Sequence, residues 1–205
     1  MNLADTYNRI AEDWHKDHLD DSWWTDETEH FISLLPEAAT VLDVGCGSGT
    51  KSKYMRDRGL SVVGIDISDG LLAIARRESP DIEFVNHSMM ELDSFPGQFD
   101  GVFAQASLLH IPKADAPGVV RQMAGKTKPG GHVYIAVKQA REGTPEEEVK
   151  KEDDYGYEYE RFFSYYTPLE LESYAKDAGL VVLANTSSVS GNTTWLQIVG
   201  QKPLA

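Results

Sequence analysis

Apolar residues recur along this chain in two rhythms. Tyr7, Ile10, Ala11 and Trp14 fall at i, i+3, i+4 and i+7, the spacing of one helix face. Asp26 and Glu29 open a second helical stretch carrying Phe31, Ile32, Leu34 and Leu35, which Pro36 ends. Short apolar runs of strand type follow at Val41–Val44, Ser61–Asp66, Ile82–Asn86, Phe99–Ala104 and His132–Val137. Helical patterns separate them. Thr50–Arg58 is stopped by Gly59. Ser68 caps a helix with Leu71, Leu72, Ile74 and Ala75 that ends at Pro80. Asp115–Lys126 leads to a Pro129-Gly130-Gly131 turn. Thr167-Pro168 starts a further helix through Lys176, closed by Ala178-Gly179, and two strands finish the chain, one at Leu180–Ala184 or continuing beyond it and one at Thr194–Gly200.

Strand and helix in alternation predict an α/β fold, with a mostly parallel sheet covered by helices on both faces: a three-layer α-β-α sandwich. The whole chain, 1–205, reads as a single domain, with residues 1–36 as a helical cover. Residues 139–166 break the rhythm. They are acidic, tyrosine-rich and long for a connection inside a compact domain, so they read as an insertion.

Composition narrows the setting. The hydrophobic share of 41% and charged share of 25% suit a globular protein. No apolar run approaches the roughly 18 residues of a membrane span. The N-terminus lacks the basic flank and apolar stretch of a secretory signal. Cys46 is the single cysteine, which excludes an intramolecular disulfide and points to a reducing, cytoplasmic setting. A net charge of −14 disfavours nucleic acid and anionic membranes as partners. It favours a small neutral or cationic substrate, although acidity also serves plain solubility.

The candidate chemistry sits where the first strand of the sheet meets the next helix. Asp43-Val44-Gly45-Cys46-Gly47-Ser48-Gly49-Thr50 is a glycine-rich turn, where backbone without Cβ can approach a ligand closely. Open α/β sheets bind ligands in the crevice beyond the carboxyl ends of their strands. Asp66 ends the second strand, and a carboxylate there can accept both hydrogen bonds of a ribose diol. Glycine loop and acid together make a nucleoside-binding pattern. Thr50 occupies the position where a dinucleotide fingerprint wants Gly or Ala.

The D-x-G-x-G-x-G pattern of Asp43–Gly49 resembles the first motif of class I S-adenosylmethionine (SAM)-dependent methyltransferases. Val63–Ser68 is similar to the second motif of that family, Phe99–Gln105 to its fourth-strand motif, and Lys128–Val133 to its turn before the fifth strand. The resemblance covers roughly half the chain, from Val41 to Val137, and is closest to the small-molecule methyltransferase type. It implies a Rossmann-like, seven-stranded sheet with an antiparallel last strand. It also implies SAM as cofactor, S-adenosylhomocysteine as product and a small-molecule acceptor. On the matching positions, Gly45, Cys46 and Gly47 would lie along the methionine and ribose, Asp66 would hold the ribose hydroxyls, and Ile67 and Met89 would flank the adenine. Gln105 would sit beside the methionine amino group. Ser88 stands where the family often has an acid reading the adenine amino group. Tyr7 and Trp14 would lie near the methionine or the acceptor. Several of these residues have plainer readings: Cys46 as a buried small residue, Met89 and Met90 as core, Asp43 as a brace of the loop.

Methyl transfer from SAM needs alignment and water exclusion more than it needs a base. His110, just after the fourth strand, is the candidate catalytic base; shaping the turn is its other reading. Tyr155, Tyr157 and Tyr159 alternate as on one face of an extended strand. They read either as a lid over a flat or cationic acceptor or as an edge packed on the domain. His15, His18 and His30 match no closed metal spacing, so no metal is expected. The alternatives are a protein or peptide methyltransferase, a non-catalytic SAM-binding partner protein and a nicotinamide-dependent oxidoreductase. The acceptor atom and the oligomeric state are not legible.

Overall fold

A computed structural model describes residues 2–19 and 21–204. Helices α1 (Leu3–Asp17) and α2 (Thr25–Ser33) precede strand β1 (Thr40–Val44), α3 (Thr50–Arg56), β2 (Ser61–Asp66), α4 (Asp69–Glu78) and β3 (Glu83–Asn86). A short 3-10 helix, Met89–Ser94, leads to β4 (Phe99–Gln105), and another, Leu108–His110, to α5 (Ala116–Lys126) and β5 (Thr127–Lys138). Then come β6 (Glu147–Glu152), β7 (Tyr159–Ser164), α6 (Pro168–Asp177), β8 (Val181–Ser190) and β9 (Thr193–Gln201). Seven strands form one sheet in the order β3-β2-β1-β4-β5-β9-β8, while β6 and β7 pair separately. Strands β1 to β5 run parallel, and the last strand, β9, is antiparallel to both of its neighbours.

Alternation along the central strands sorts the core into two faces. Val41, Phe103 and Tyr134 point toward α2, α3 and α4; Leu42, Val102 and Val133 point toward α5 and α6. This is the expected three-layer sandwich. Helix α2 is a working part of it. Phe31 is fully buried against Phe103 and Tyr134, with ring centroids 5.3 and 5.9 Å away. Gly101 makes room for that ring, since a Cβ there would lie 2.7 Å from Phe31 Cζ. Helix α1 docks on the start of α4. Asn8 Oδ1 accepts from Ser68 Oγ and from Gly70 N, both at 2.9 Å, and Ala11 packs with Leu71 and Ile74.

Two expectations need correction, and one open strand end is set. The fifth strand begins at Thr127 rather than His132, because the glycine turn stays hydrogen-bonded: Gly130 N donates to Lys202 O and Lys202 N to Gly131 O. Strand β8 runs to Ser190, well past Ala184, because its polar residues from Asn185 onward belong to a sheet edge and continue the hairpin with β9. Tyr155, Tyr157 and Tyr159 do not share one strand face. Gly156, with φ of 80°, turns the chain between β6 and β7, so only Tyr159 lies in a strand. The three rings cluster with centroids 5.4–6.4 Å apart, and Tyr157 OH donates to Asp13 of α1. The hairpin thus packs its tyrosines on α1.

Phe31→Ala should cost about 3–5 kcal/mol of stability, the usual range for emptying a buried aromatic site. Denaturant unfolding checks this. A loss below about 1 kcal/mol would show that α2 is not part of the core.

Candidate active site

The glycine loop leaves β1 at a place with no room for side chains. Gly45, Gly47 and Gly49 have φ of 75°, 55° and 80°, the left-handed region that side chains disfavour. A Cβ on Gly45 would also stand 2.3 Å from Ser107 Cβ, in the chain leaving β4. Gly45 N and Cys46 N both donate to Ile65 O of β2, and Ser107 Oγ donates to Val44 O at 2.6 Å. The loop is therefore stitched to both neighbouring strands. Asp43 braces it from within: its buried carboxylate accepts from Ser52 Oγ of α3 at 2.5 Å, and burial pushes its pKa up to about 6.

Asp66 ends β2 facing this loop. Its two carboxylate oxygens accept from Gly47 N and Ser68 N, both at 2.9 Å. Each oxygen keeps a lone pair free for a further donor. Burial raises its pKa, and the backbone N–H groups oppose that shift. Ile67 and Leu71 continue the wall from Asp66, and Met89 and Ser88 close it beyond β3. Ser88 Oγ is already used as the cap of its 3-10 turn, accepting from Met90 N at 3.2 Å. At the end of β4, Gln105 is only 7% exposed, and neither its Oε1 nor its Nε2 finds a partner among the described residues. A buried amide left unpaired is costly, so both atoms point to a polar ligand.

One cavity of about 600 Å³ joins these residues to a second region over the ends of β5 and β9, a size typical of small-molecule sites. Tyr7 and Trp14 of α1 roof it; Lys138, Arg161, Phe163, Trp23 and Trp195 line its far end. Trp23 stacks on Trp195 with centroids 4.1 Å apart. His110 lies between the two regions. Its Nδ1 meets Phe162 O at 2.7 Å and its Nε2 meets the Tyr7 hydroxyl at 2.8 Å. A carbonyl only accepts, so Nδ1 carries the hydrogen and Nε2 accepts from Tyr7. Burial holds the His110 pKa down to about 3, so the ring is neutral. The Tyr7 oxygen in turn accepts from Arg161 at 3.4 Å, and Arg161 forms a two-armed pair with Glu152 at 2.6 and 2.7 Å.

The candidate cofactor residues and the candidate base line this cavity, namely Tyr7, Trp14, Gly45, Cys46, Gly47, Asp66, Ile67, Ser88, Met89, Gln105 and His110, whereas Tyr155, Tyr157 and Tyr159 are not among its lining residues. The Cys46 side chain turns away into the core, beside Gly64. The candidate histidines are otherwise occupied: His15 bonds to Ser48 and His18 stacks on Trp14. Sequence reasoning missed Lys51, Lys138 and Arg161, as well as Trp23 and Trp195. Lys138 had one signal, as the first charge after the apolar run of β5.

Residues 41–131 match the model of a methyltransferase domain. The chain is 37% identical over 134 residues to a ubiquinone biosynthesis O-methyltransferase of Pseudomonas paraeruginosa, a match covering 56% of this chain and 56% of that protein. It thus spans little more than half the length of that relative. Its fold is similar to that of 1,6-didemethyltoxoflavin-N1-methyltransferase from Burkholderia thailandensis, solved with 1,6-didemethyltoxoflavin and S-adenosylhomocysteine (TM-score 0.76, 18% identity, covering 98% of this chain and 87% of that one). It is also similar to magnesium protoporphyrin IX methyltransferase from Synechocystis, solved with SAM (TM-score 0.73, 15% identity, covering 98% and 95%). The methyltransferase-domain match thus spans the glycine loop and Asp66, and the chain shares its fold with these solved methyltransferases.

Proposed function

We propose that this protein transfers a methyl group from SAM to a small-molecule acceptor and releases S-adenosylhomocysteine. The observation that carries this reading is one continuous cavity, which runs from the glycine loop, Asp66 and the unpaired amide of Gln105 to an aromatic end over β5 and β9. The residues present fit the cofactor. Asp66 offers two spare lone pairs to the ribose diol, Ile67 and Met89 offer apolar flanks to the adenine, and Gln105 offers an acceptor and a donor to the amino-acid end. Gly45 and Gly47 leave the backbone bare beneath it, with Trp14 above Gly47.

When bound, SAM supplies an electrophilic methyl whose sulfur leaves as a neutral thioether. The chain's own residues then have three tasks: hold the acceptor in line, keep water out and take up any proton released. The hairpin β6–β7, in residues 139–166, serves as cover for the acceptor end through Arg161 and Phe163. Tyr7 is the group presented to that end, and His110 positions Tyr7. Both His110 nitrogens are committed, so the imidazole reaches an acceptor proton only through the Tyr7 hydroxyl.

Calorimetry separates the classes. SAM and S-adenosylhomocysteine should bind, NAD should not, and Asp66→Ala should weaken both adenosyl ligands at least tenfold with thermal unfolding still cooperative. Binding of NAD in preference to SAM would sink the reading. A screen of metabolites with methyl-labelled SAM then finds the acceptor.

His110 contributes no ionisation near neutrality, because its folded pKa lies far below the ordinary value. With the acceptor found, Tyr7→Phe and His110→Asn should each lower kcat/KM about tenfold or more. Neither should add or remove an inflection between pH 5 and 8. Loss in His110→Asn of a wild-type inflection near pH 6.5 would instead identify His110 as a titrating base.

A further inference from the structure

The far end of the cavity holds a charge that the fold itself does not answer. Lys138 is the last residue of β5, and the chain leaves the sheet there to form the β6–β7 hairpin. The hairpin returns beside it: Tyr166 N donates to Lys138 O at 3.0 Å. The ammonium is thereby confined. It lies 4.0 Å from the ring centre of Phe163 and 5.9 Å from that of Trp195, itself 8% exposed. Among the described residues it has no ion pair and no side-chain hydrogen bond.

The charges around it are committed elsewhere. Glu152 takes both arms of Arg161 and also meets Lys150 at 3.2 Å. Glu148 accepts the Tyr165 hydroxyl at 2.5 Å. Arg161 and Lys150 oppose the Lys138 charge, while Glu152 and Glu148 favour it. Burial comes first among these influences and brings the Lys138 pKa down to about 8. A half-buried ammonium without a counter-ion is a cost that an anionic ligand relieves. The flat surfaces beside it, Phe163 and the stacked pair Trp23 and Trp195, favour a planar molecule.

We infer that the acceptor is a planar, ring-bearing molecule with a carboxylate, and that Lys138 receives this carboxylate against Phe163 and Trp195. This rests on the methyltransferase reading and deepens it. It also reverses the expectation drawn from net charge, which favoured a neutral or cationic substrate. The −14 belongs to the whole surface, and the acceptor end carries the unpaired charge of Lys138, while Arg161 is matched by Glu152. Recognition inside a walled cavity follows the local charges rather than the distant ones, which solvent screens.

The test uses the full chain saturated with S-adenosylhomocysteine and three matched probes: ring-hydroxylated benzoate, benzamide and benzylamine. Binding is followed by quenching of tryptophan fluorescence and by calorimetry. The benzoate should bind at least tenfold more tightly than the amide, and the benzylamine most weakly. Lys138→Gln should remove the benzoate's advantage, leave the amide and S-adenosylhomocysteine affinities within about twofold, and Lys138→Arg should restore most of the advantage. Equal binding of benzoate and amide, a preference for the benzylamine, or a benzoate preference that survives Lys138→Gln would each overturn the inference. Failure of the wild type to bind S-adenosylhomocysteine would overturn the methyltransferase reading itself, and the same probes titrated without it would still report on Lys138.

Discussion

The carboxylate of Asp66 is the fixed point of the molecule. By accepting from Gly47 N it ties the loop after β1 to the end of β2, and by accepting from Ser68 N it sets the start of α4. Ser68 then carries the connection outward to Asn8, and so positions α1 with Tyr7 and Trp14 over the cavity. One half-buried acid organises floor, wall and roof. The cost of burying it is offset by backbone donors rather than by a cation, which leaves lone pairs on both oxygens for the hydroxyls of a nucleoside. The same arrangement explains the three left-handed glycines. A loop held this tightly between β2 and the chain leaving β4 can turn only where Cβ is absent.

The two ends of the cavity are built on different principles. The cofactor end is backbone and short side chains on rigid strand termini, which gives precision. The acceptor end is assembled from segments far apart in sequence: the loop between α1 and α2, the end of β5, the β6–β7 hairpin and the start of β9. Its chemistry is carried by long side chains and aromatic faces. Between the ends, Tyr7 and His110 form a neutral hydrogen-bonded pair, anchored by the Phe162 carbonyl on one side and reached by Arg161 on the other. With that division, one end of the cavity can change while the other stays fixed.

The sheet was legible because β1, β4 and most of β5 are buried on both faces and read as apolar runs, and because glycine punctuates strand ends. The cofactor end was legible for a related reason. Its residues lie at strand termini, in short local motifs whose spacing survives in one dimension. The acceptor end was not. Lys138 looks like any charge closing a strand, and nothing local says that Phe163 and Trp195 will enclose it. Arg161 sits in an acidic, tyrosine-rich segment whose alternation suggested one continuous strand, whereas Gly156 breaks it into a turn. The end of strand β8 stayed open for lack of apolar residues, since an edge strand can be polar through its second half. The His110 position was found from its place after β4, but its role depends on two partners, Tyr7 and the Phe162 carbonyl, from distant segments.

The central claim is that one cavity binds an adenosyl donor on Asp66 and presents its reactive end toward Tyr7 and His110. A crystal structure of the protein with S-adenosylhomocysteine tests it most directly. The account predicts the ribose hydroxyls within hydrogen-bond distance of Asp66, the adenine between Ile67 and Met89, the amino-acid end bonded to Gln105, and the sulfur facing the region bounded by Tyr7, His110 and Lys138. A ribose bound away from Asp66, or an amino-acid end that leaves the Gln105 amide unpaired, would contradict it.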